Sequence, residues 1–302
     1  MHPMTRPEFL LTACALAATS LLASAQTPPA AGDEPQATSL QTVVVTGKRA
    51  NRVSKGATGL AMDVKETPQT LSSIDREDMA NFGLTGSNEA LGLATGINVE
   101  QYETNRATFN ARGFEIQLTQ VDGLGMTNAW GTVVGREDTF LFDRIELIRG
   151  ANGLLTGVGN SSGTINYVRK RPTNTFQASA AAQYGSWNDY RVEADVSGPL
   201  NASGTLAGRL IYANEDRDSY LDHYKVNRNV YGALLAWDAT PNLTATVGWS
   251  MQDNRAKGNN WGALPLLYSD GSRIDYPRSA STSADWTHWN VRDQTAFAEL
   301  AW

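Results

Sequence analysis

The stretch of sequence that decides the fold alternates between apolar and polar side chains: Tyr190-Arg191-Val192-Glu193-Ala194-Asp195-Val196-Ser197. A period of two is typical of a β-strand with two different faces. Residues 243–251 repeat the pattern, with Leu, Ala, Val, Trp and Met facing one way and Thr and Ser the other. A strand with lipid on one side and a wet lumen on the other needs this alternation. The pattern therefore predicts transmembrane barrel strands.

Six strands of this kind are predicted, at about 175–185, 190–198, 205–214, 229–238, 243–252 and 293–302. The connections 199–204 and 239–242 are short, whereas 215–228 and 253–292 are long. Short periplasmic turns and longer external loops are typical of barrels, so the connections predict the orientation. A soluble β-sandwich, the alternative, predicts no such asymmetry. Six strands are too few to close a barrel, and barrels whose lumen is filled by a plug have about 22 strands. The chain is therefore expected to be the N-terminal fragment of a longer barrel.

Composition narrows the remaining function classes. Beyond the first 25 residues there is no apolar run of 18 or more, which argues against a spanning helix. The formal charge of -6 argues against nucleic acid as a partner. The single cysteine, Cys14, lies within the first 25 residues, which are predicted to be a signal peptide. Cysteine chemistry is therefore not expected in the mature protein. No nucleophile, base and orienting group stand out together, so an enzyme is not expected.

The N-terminal region reads as three short segments. Residues 1–25 predict a signal peptide. Arg6 supplies positive charge, an apolar core follows, and the small residues Ala23-Ser24-Ala25 form a cleavage site. Residues 26–39 are rich in Pro, Ala, Gln and Thr and predict a disordered periplasmic tether. Residues 40–47 contain three consecutive valines and form an isolated strand signal. Such a strand suits β-augmentation of another protein, although the residues alone equally allow an ordinary first strand of the next domain.

Residues 48–172 predict a mixed α+β domain. Short helices are expected at 75–82 and 88–93, each with Asp or Asn near its start as a cap, and strands at 97–99, 117–121 and 144–149. An Asp122-Gly123 turn follows the second strand. The glycine-rich stretch 150–163 matches neither the dinucleotide nor the phosphate-loop pattern. Its glycines are therefore interpreted as turn and close-packing residues.

Several motifs, in order, resemble one family. Residues 40–46 resemble a TonB box, and a longer stretch resembles the plug signature of TonB-dependent siderophore receptors: Phe140-Leu141-Phe142-Asp143-Arg144-Ile145-Glu146-Leu147-Ile148-Arg149-Gly150. Residues 66–69, 111–114 and 157–172 are similar to further plug landmarks. The resemblance implies a plug domain at 48–172, followed by a partial transmembrane antiparallel β-barrel of about six strands at 173–302.

The resemblance also implies a function and its partners. The protein would import a ferric siderophore through the outer membrane, energised by TonB of the inner membrane, with outer-membrane lipid around it and no nucleic acid partner. Iron(III) would arrive chelated by the siderophore, so no cofactor or metal site is expected. Residues 264–272 resemble hydroxamate receptors of the coprogen and pyoverdine type. An importer of cobalamin or carbohydrate, or a truncated product without transport, remains an alternative. The expected TonB-binding residues are Leu40, Gln41, Thr42, Val43, Val44, Val45 and Thr46.

Candidate ligand contacts are aromatic and charged residues on loops expected to face outward. A rigid, partly polar organic ligand is bound by aromatic faces and a few hydrogen-bond donors. Arg106 and Trp130 are the first candidates, as charge donor and stacking surface. Loop packing or solvation is the alternative role for each. The other candidates are Tyr102, Phe109, Met126, Trp261, Tyr268, Trp286 and Trp289.

Overall fold

A computed structural model describes residues 53–126, 133–134, 136–150 and 161–302, with the side chains of 133 and 134 excepted. The expected signal peptide, tether and TonB box lie outside the described residues, as do Trp130 and the central part of the glycine-rich stretch. Among the described residues, no helix is long and apolar enough to cross a membrane.

The N-terminal half of the described chain contains short elements of both kinds. Two helices lie among strands, and a 3₁₀ turn covers Thr139–Leu141. The elements, in order, are β1 (Val53–Ser54), β2 (Met62–Asp63), β3 (Thr70–Asp75), α1 (Arg76–Asn81), α2 (Ser87–Gly92), β4 (Ile97–Gln101), β5 (Arg106–Ala111), β6 (Phe114–Glu115), β7 (Leu118–Val121), β8 (Leu124–Met126), β9 (Val133–Val134), β10 (Phe142–Arg149) and β11 (Gly163–Arg169). These elements lie in the region for which the sequence predicts a plug domain, and we call this region the plug.

The plug is built around a five-stranded sheet in the order β3-β10-β11-β7-β8. The central strand β10 pairs antiparallel with both β3 and β11, and β11 pairs parallel with β7. Ile145 and Leu147 of β10 and Ile165 of β11 are buried with Leu91 of α2 in one apolar cluster. The core is therefore formed by the signature strand, its partner and the second helix.

Local sequence explains where the plug elements begin and turn. Asp75 and Asp78 form a capping box at the start of α1, as the sequence predicts. The predicted cap at the second helix is wrong, because α2 starts after Gly86 and Asn88 lies within its first turn. Asp122 and Gly123 have φ of 53° and 83° and join β7 to β8 in a tight hairpin.

The C-terminal half forms one antiparallel sheet whose strands follow chain order. The structure confirms six strands, and all except the first are longer than the sequence predicts. A barrel strand must cross the apolar layer and continue into the headgroup regions, where the alternation is less clear in the sequence. The strands are β12 (Gln177–Gly185), β13 (Asp189–Pro199), β14 (Leu206–Asp218), β15 (Lys225–Thr240), β16 (Leu243–Lys257) and β17 (His288–Ala301).

The two faces of the sheet differ as the alternation predicts. On β13, Arg191, Asp195 and Ser197 are buried against the plug, whereas Tyr190 and Val196 are exposed on the opposite face. The polar face of the sheet thus packs against the plug, and the apolar face forms the outer surface.

The connections need one correction. Residues 215–228, predicted as a long loop, are mostly strand, and only 219–224 connects β14 to β15. The strands extend because Asp216, Asn227 and their neighbours continue the ladder as polar residues. Only the loop 258–287 between β16 and β17 is much longer than the other connections of the sheet. It lies at the same end of the sheet as 186–188 and 219–224. We refer to this end as the long-loop end.

Candidate functional site

A charged plug hairpin lies at the long-loop end. Residues 102–105 connect β4 to β5, and Arg106 is the first residue of β5. The Arg106 Nε atom donates to Glu103 Oε1 over 2.6 Å, and the Glu103 side chain is almost completely buried. Arg106 is therefore held in place by a neighbouring carboxylate.

Three aromatic rings surround the Arg106 guanidinium. Its carbon lies 4.6 Å from the ring centroid of Trp261, 5.7 Å from that of Trp289 and 5.9 Å from that of Tyr102. The two indole rings are 5.3 Å apart. These distances are within the range of cation–π attraction. We call Tyr102, Glu103, Arg106, Trp261 and Trp289 the Arg106 cluster.

The cluster joins residues from three distant parts of the chain. Tyr102 and Arg106 belong to the plug hairpin, Trp261 to the loop 258–287, and Trp289 to β17. The Tyr224 hydroxyl donates to the Thr104 carbonyl over 3.1 Å, which fixes the hairpin to the barrel. Trp261 remains 64% exposed. The cluster thus offers an accessible aromatic surface around a fixed cation.

The structure brings four of the nine predicted ligand contacts together and excludes one. Phe109 was predicted as a contact, and this is wrong, because its ring is only 3% exposed and lies in the plug core. Tyr268 and Trp286 are exposed on the long loop but make no ring contact with the cluster among the described residues. Met126 is exposed at the end of β8, in a different sheet from Arg106. Trp130 lies outside the described residues, and the chain returns at β9, where Val134 pairs with Arg106.

Buried ion pairs, which the sequence did not predict, hold the plug against the barrel wall. The Asp138 carboxylate of the plug accepts from both Nη atoms of Arg191 on β13, each over 2.9 Å. Arg228 Nε of β15 lies 3.0 Å from the same carboxylate. Glu215 of β14 pairs with Arg191 over 3.1 Å and with Arg228. The only sequence signal for this network was the charge on the inner face of the strands.

Burial and charge act in opposite directions on Asp138. Burial alone would raise its pKa, but the Arg228 and Arg191 guanidinium groups outweigh burial and hold the pKa below its usual value. Asp138 is therefore an anion held between two cations.

The neighbouring Glu137 has the opposite balance. Burial, together with the nearby carboxylates of Asp293 and Asp138, raises the pKa of Glu137 to about 7, although the Arg228 charge acts in the opposite direction. Adjacent plug residues thus differ in protonation near neutral pH.

A second contact between plug and barrel is centred on Lys170. Its Nζ atom donates to Asp195 of β13 over 2.9 Å and lies 3.6 Å from the Phe140 ring centroid. Arg209 of β14 makes two bonds, of 2.8 and 2.6 Å, to the same carboxylate. Burial, with the positive charge of Arg76, lowers the pKa of Lys170 to about 8. Arg76 lies 3.6 Å from the same carboxylate, so three cations share it at this contact.

Metal ligands do not collect in the part of the chain that the structure describes. No group of three or more His, Cys, Asp or Glu side chains there could hold a metal ion.

Comparisons with known proteins agree on the kind of protein. A family model for the TonB-dependent Receptor Plug Domain matches residues 63–164. The ferripyoverdine receptor of Pseudomonas aeruginosa is 40% identical over 251 residues, which cover 81% of this chain and 30% of that protein. The ferric-pyoverdine 358 receptor of Pseudomonas putida is 35% identical over 252 residues, which cover 82% of this chain and 30% of that protein. Each of these relatives is a receptor rather than an enzyme.

A solved structure has the same fold. The crystal structure of the outer-membrane ferripyoverdine receptor of Pseudomonas aeruginosa bound to ferripyoverdine matches with a TM-score of 0.77 at 39% identity, covering 82% of this chain and 34% of that one. This chain spans about a third of the length of the curated relatives it matches. The plug and the barrel strands place it in the outer membrane. The chain belongs to the family of TonB-dependent siderophore receptors.

Proposed function

We propose that the protein imports a ferric siderophore of the hydroxamate or pyoverdine type through the outer membrane, with energy supplied by TonB. The Arg106 cluster carries this proposal. It combines plug and barrel residues at the long-loop end, which is the external end by the usual length of barrel loops. A ligand bound there would touch both the plug and the barrel.

The chemistry of the cluster suits an iron chelate better than free iron. A siderophore surrounds its iron with its own oxygens and presents an organic shell to the receptor. Trp261, Trp289 and Tyr102 offer ring faces for this shell, and Arg106 offers guanidinium donors. Because Glu103 neutralises much of the Arg106 charge, stacking and directed hydrogen bonds should contribute more than net charge. Iron is the cargo in this proposal and needs no protein ligand.

Residues 40–46 are proposed as the site of TonB binding. The segment Val43-Val44-Val45 has high strand propensity and follows a stretch that cannot bury a face. An extended segment of this kind can add a strand to the edge of a partner sheet. These residues lie outside the described part of the structure, so sequence and family resemblance support this part of the proposal.

Binding of the ligand is tested with the receptor expressed from its complete gene. Ferric pyoverdine, ferric hydroxamate siderophores, their iron-free forms and cobalamin are titrated by calorimetry. A ferric siderophore should bind, and Arg106→Ala and Trp261→Ala should each weaken binding by about tenfold. Tyr268→Ala is the matched control, since Tyr268 is an exposed aromatic residue of the same loop outside the cluster. Tight binding of cobalamin alone, or unchanged affinity in both cluster variants, would contradict the proposal.

Energy coupling is tested separately by uptake of radioactive iron. Val44→Pro removes a backbone donor that strand addition needs, so uptake should stop while siderophore binding stays at the wild-type level. Val44→Ile keeps the donor and the strand propensity and should transport normally. Continued uptake by the proline variant would show that residues 40–46 do not form the coupling strand.

A further inference from the structure

Trp261 of the Arg106 cluster is held by another segment of its own loop. The Thr282 hydroxyl oxygen accepts a hydrogen bond from the Trp261 backbone N–H over 3.2 Å, and the same hydroxyl donates to the Trp261 carbonyl over 3.3 Å. Both residues belong to the long loop 258–287, although they are 21 positions apart in the sequence. One side chain therefore binds both polar groups of the Trp261 backbone.

The neighbours of these two residues make the same pairing. Ser281 Oγ donates to the side-chain oxygen of Asn260, and the Ser283 backbone N–H donates to Ser281 Oγ over 3.1 Å. The two segments of the loop therefore lie side by side, with Thr282 opposite Trp261.

The segment that carries Thr282 is fixed to the barrel. The Asp222 backbone N–H donates to the Ser279 carbonyl over 2.8 Å, and Ser283 Oγ donates to the Asp222 carbonyl over 3.3 Å. Ser279 Oγ also donates to the Asp222 carboxylate over 3.1 Å. Asp222 lies in the short connection 219–224 between β14 and β15. The Thr282 segment thus has a support on a neighbouring pair of strands.

The segment that carries Trp261 is attached to the plug. Asn259 Nδ2 donates to Asn105 Oδ1, and both residues are buried. Asn105 directly precedes Arg106, and Asn259 lies two positions before Trp261. This amide pair brings the plug half and the loop half of the Arg106 cluster together, and Thr282 fixes the backbone that carries the indole.

The Trp261 indole needs such support because most of the residue is in solvent. Trp261 is 64% exposed, and its ring lies beside the Arg106 guanidinium and the Trp289 ring. When the backbone of an exposed side chain moves, a ligand binds only the fraction of molecules in which the side chain is correctly placed. A hydrogen bond that fixes this arrangement in advance therefore strengthens binding without touching the ligand.

We propose that Thr282 is a positioning residue of the ligand site, which holds the Trp261 indole against Arg106 before a ferric siderophore binds. The inference rests on the proposed function, because it takes the Arg106 cluster as the siderophore site. Thr282 acts through Trp261 and makes no contact with the ligand. Its hydroxyl group, and not the size of its side chain, is what the site requires.

Binding is measured by calorimetry on the receptor expressed from its complete gene, with ferric pyoverdine and a ferric hydroxamate siderophore as probes. Thr282→Val keeps the shape of the side chain but removes the hydroxyl, and it should weaken binding about fivefold. Thr282→Ser keeps the hydroxyl and should bind within about twofold of wild type. Ser272→Ala is the matched control, because it removes a hydroxyl that donates to Asp270 in the same loop, outside the cluster. Its affinity should equal that of wild type.

A double-mutant cycle separates positioning from direct contact. Thr282→Val should have no further effect in the Trp261→Ala background, because the indole through which it acts is gone. A further loss of about fivefold in that background would show that Thr282 acts independently of Trp261 and would overturn the proposal. Wild-type affinity in Thr282→Val, or equal weakening by valine and serine, would overturn it as well.

A measurement without ligand keeps this test apart from the proposed function. The Trp261 amide hydrogen should exchange faster in Thr282→Val than in wild type or Thr282→Ser, as read by mass spectrometry after millisecond labelling. Unchanged exchange would remove the positioning role, whatever the receptor imports. Faster exchange in a receptor whose wild type binds no ferric siderophore would instead contradict the proposed function.

Discussion

Asp138 of the plug accepts two parallel hydrogen bonds from Arg191 of the barrel wall, each 2.9 Å long, and both side chains are buried. The paired geometry matches the planar guanidinium to the planar carboxylate. Arg228 approaches the same carboxylate over 3.0 Å. A buried charge without its partner is strongly unfavourable. The packing of the plug against the barrel wall therefore depends on the Asp138 carboxylate.

Replacing that carboxylate should loosen the plug. Asp138→Asn leaves Arg228 with Glu215, and Arg191 with Glu215 and Glu193. We expect a loss of about 3 kcal/mol in plug stability. Amide hydrogen exchange in residues 136–150 of the detergent-solubilised receptor should become faster. The control is Asp122→Asn, whose partners Arg169 and Arg171 belong to the plug itself. Equal exchange in wild type and Asp138→Asn would refute the role of this contact.

Glu137 should make plug stability depend on pH in the opposite direction to Asp138. Its folded pKa of about 7 lies above its ordinary 4.5, so the folded protein binds more protons between these values. Stability should then decline as pH rises from about 5 to about 7 and remain low above that range. Glu137→Gln should remove the decline and gain at most about 3 kcal/mol at about pH 8.

Calorimetric unfolding of the purified receptor across this pH range measures the effect. The group with a lowered pKa, Asp138, loses its contribution only as pH falls through its folded pKa, below the range in which Glu137 titrates. An unchanged pH profile in Glu137→Gln would show that another group causes the decline.

Gly163 should not tolerate a side chain. A Cβ atom there would lie 2.6 Å from the Ile148 carbonyl oxygen, and φ is 157°. Gly163→Ala should therefore disrupt the start of the β10–β11 ladder and cost about 2 kcal/mol or more. Gly92→Ala is the control, because only Val99 lies within 4.0 Å and φ is ordinary. Alanine at this helical position should be neutral or stabilising by up to about 1 kcal/mol. Thermal unfolding of both variants decides the point.

Trp289 of β17 and Trp286, near the end of the long loop, should differ in ligand binding. Trp289 lies beside Arg106, whereas Trp286 is 80% exposed and makes no ring contact with the Arg106 cluster among the described residues. Trp289→Ala should weaken ferric siderophore binding by roughly tenfold, and Trp286→Ala should leave it unchanged. Isothermal titration with the two variants compares them directly. The reverse order of effects would show that Trp286, and not Trp289, contacts the siderophore.

The sequence predicted some structural features correctly and others wrongly, depending on the kind of interaction. Strand periodicity in 190–197 predicted which side chains face lipid, because successive side chains on a strand point to opposite faces. Phe109 was predicted as a contact because its stretch was interpreted as an outward loop, whereas residues 106–111 form strand β5 and 107–109 are buried. The predicted loop at 215–228 failed because polar residues can continue a ladder beyond the membrane.

By itself, the sequence determined the order of the domains along the chain: an α+β plug followed by strands with one apolar face. Those features are local, since propensity, turn chemistry and periodicity act over a few residues. Only the tertiary structure decided that Arg106 lies among Trp261 and Trp289, and that Asp138 meets Arg191. Such contacts depend on how the plug sits within the strands, and one sequence read along its length carries no record of which distant side chains will be neighbours.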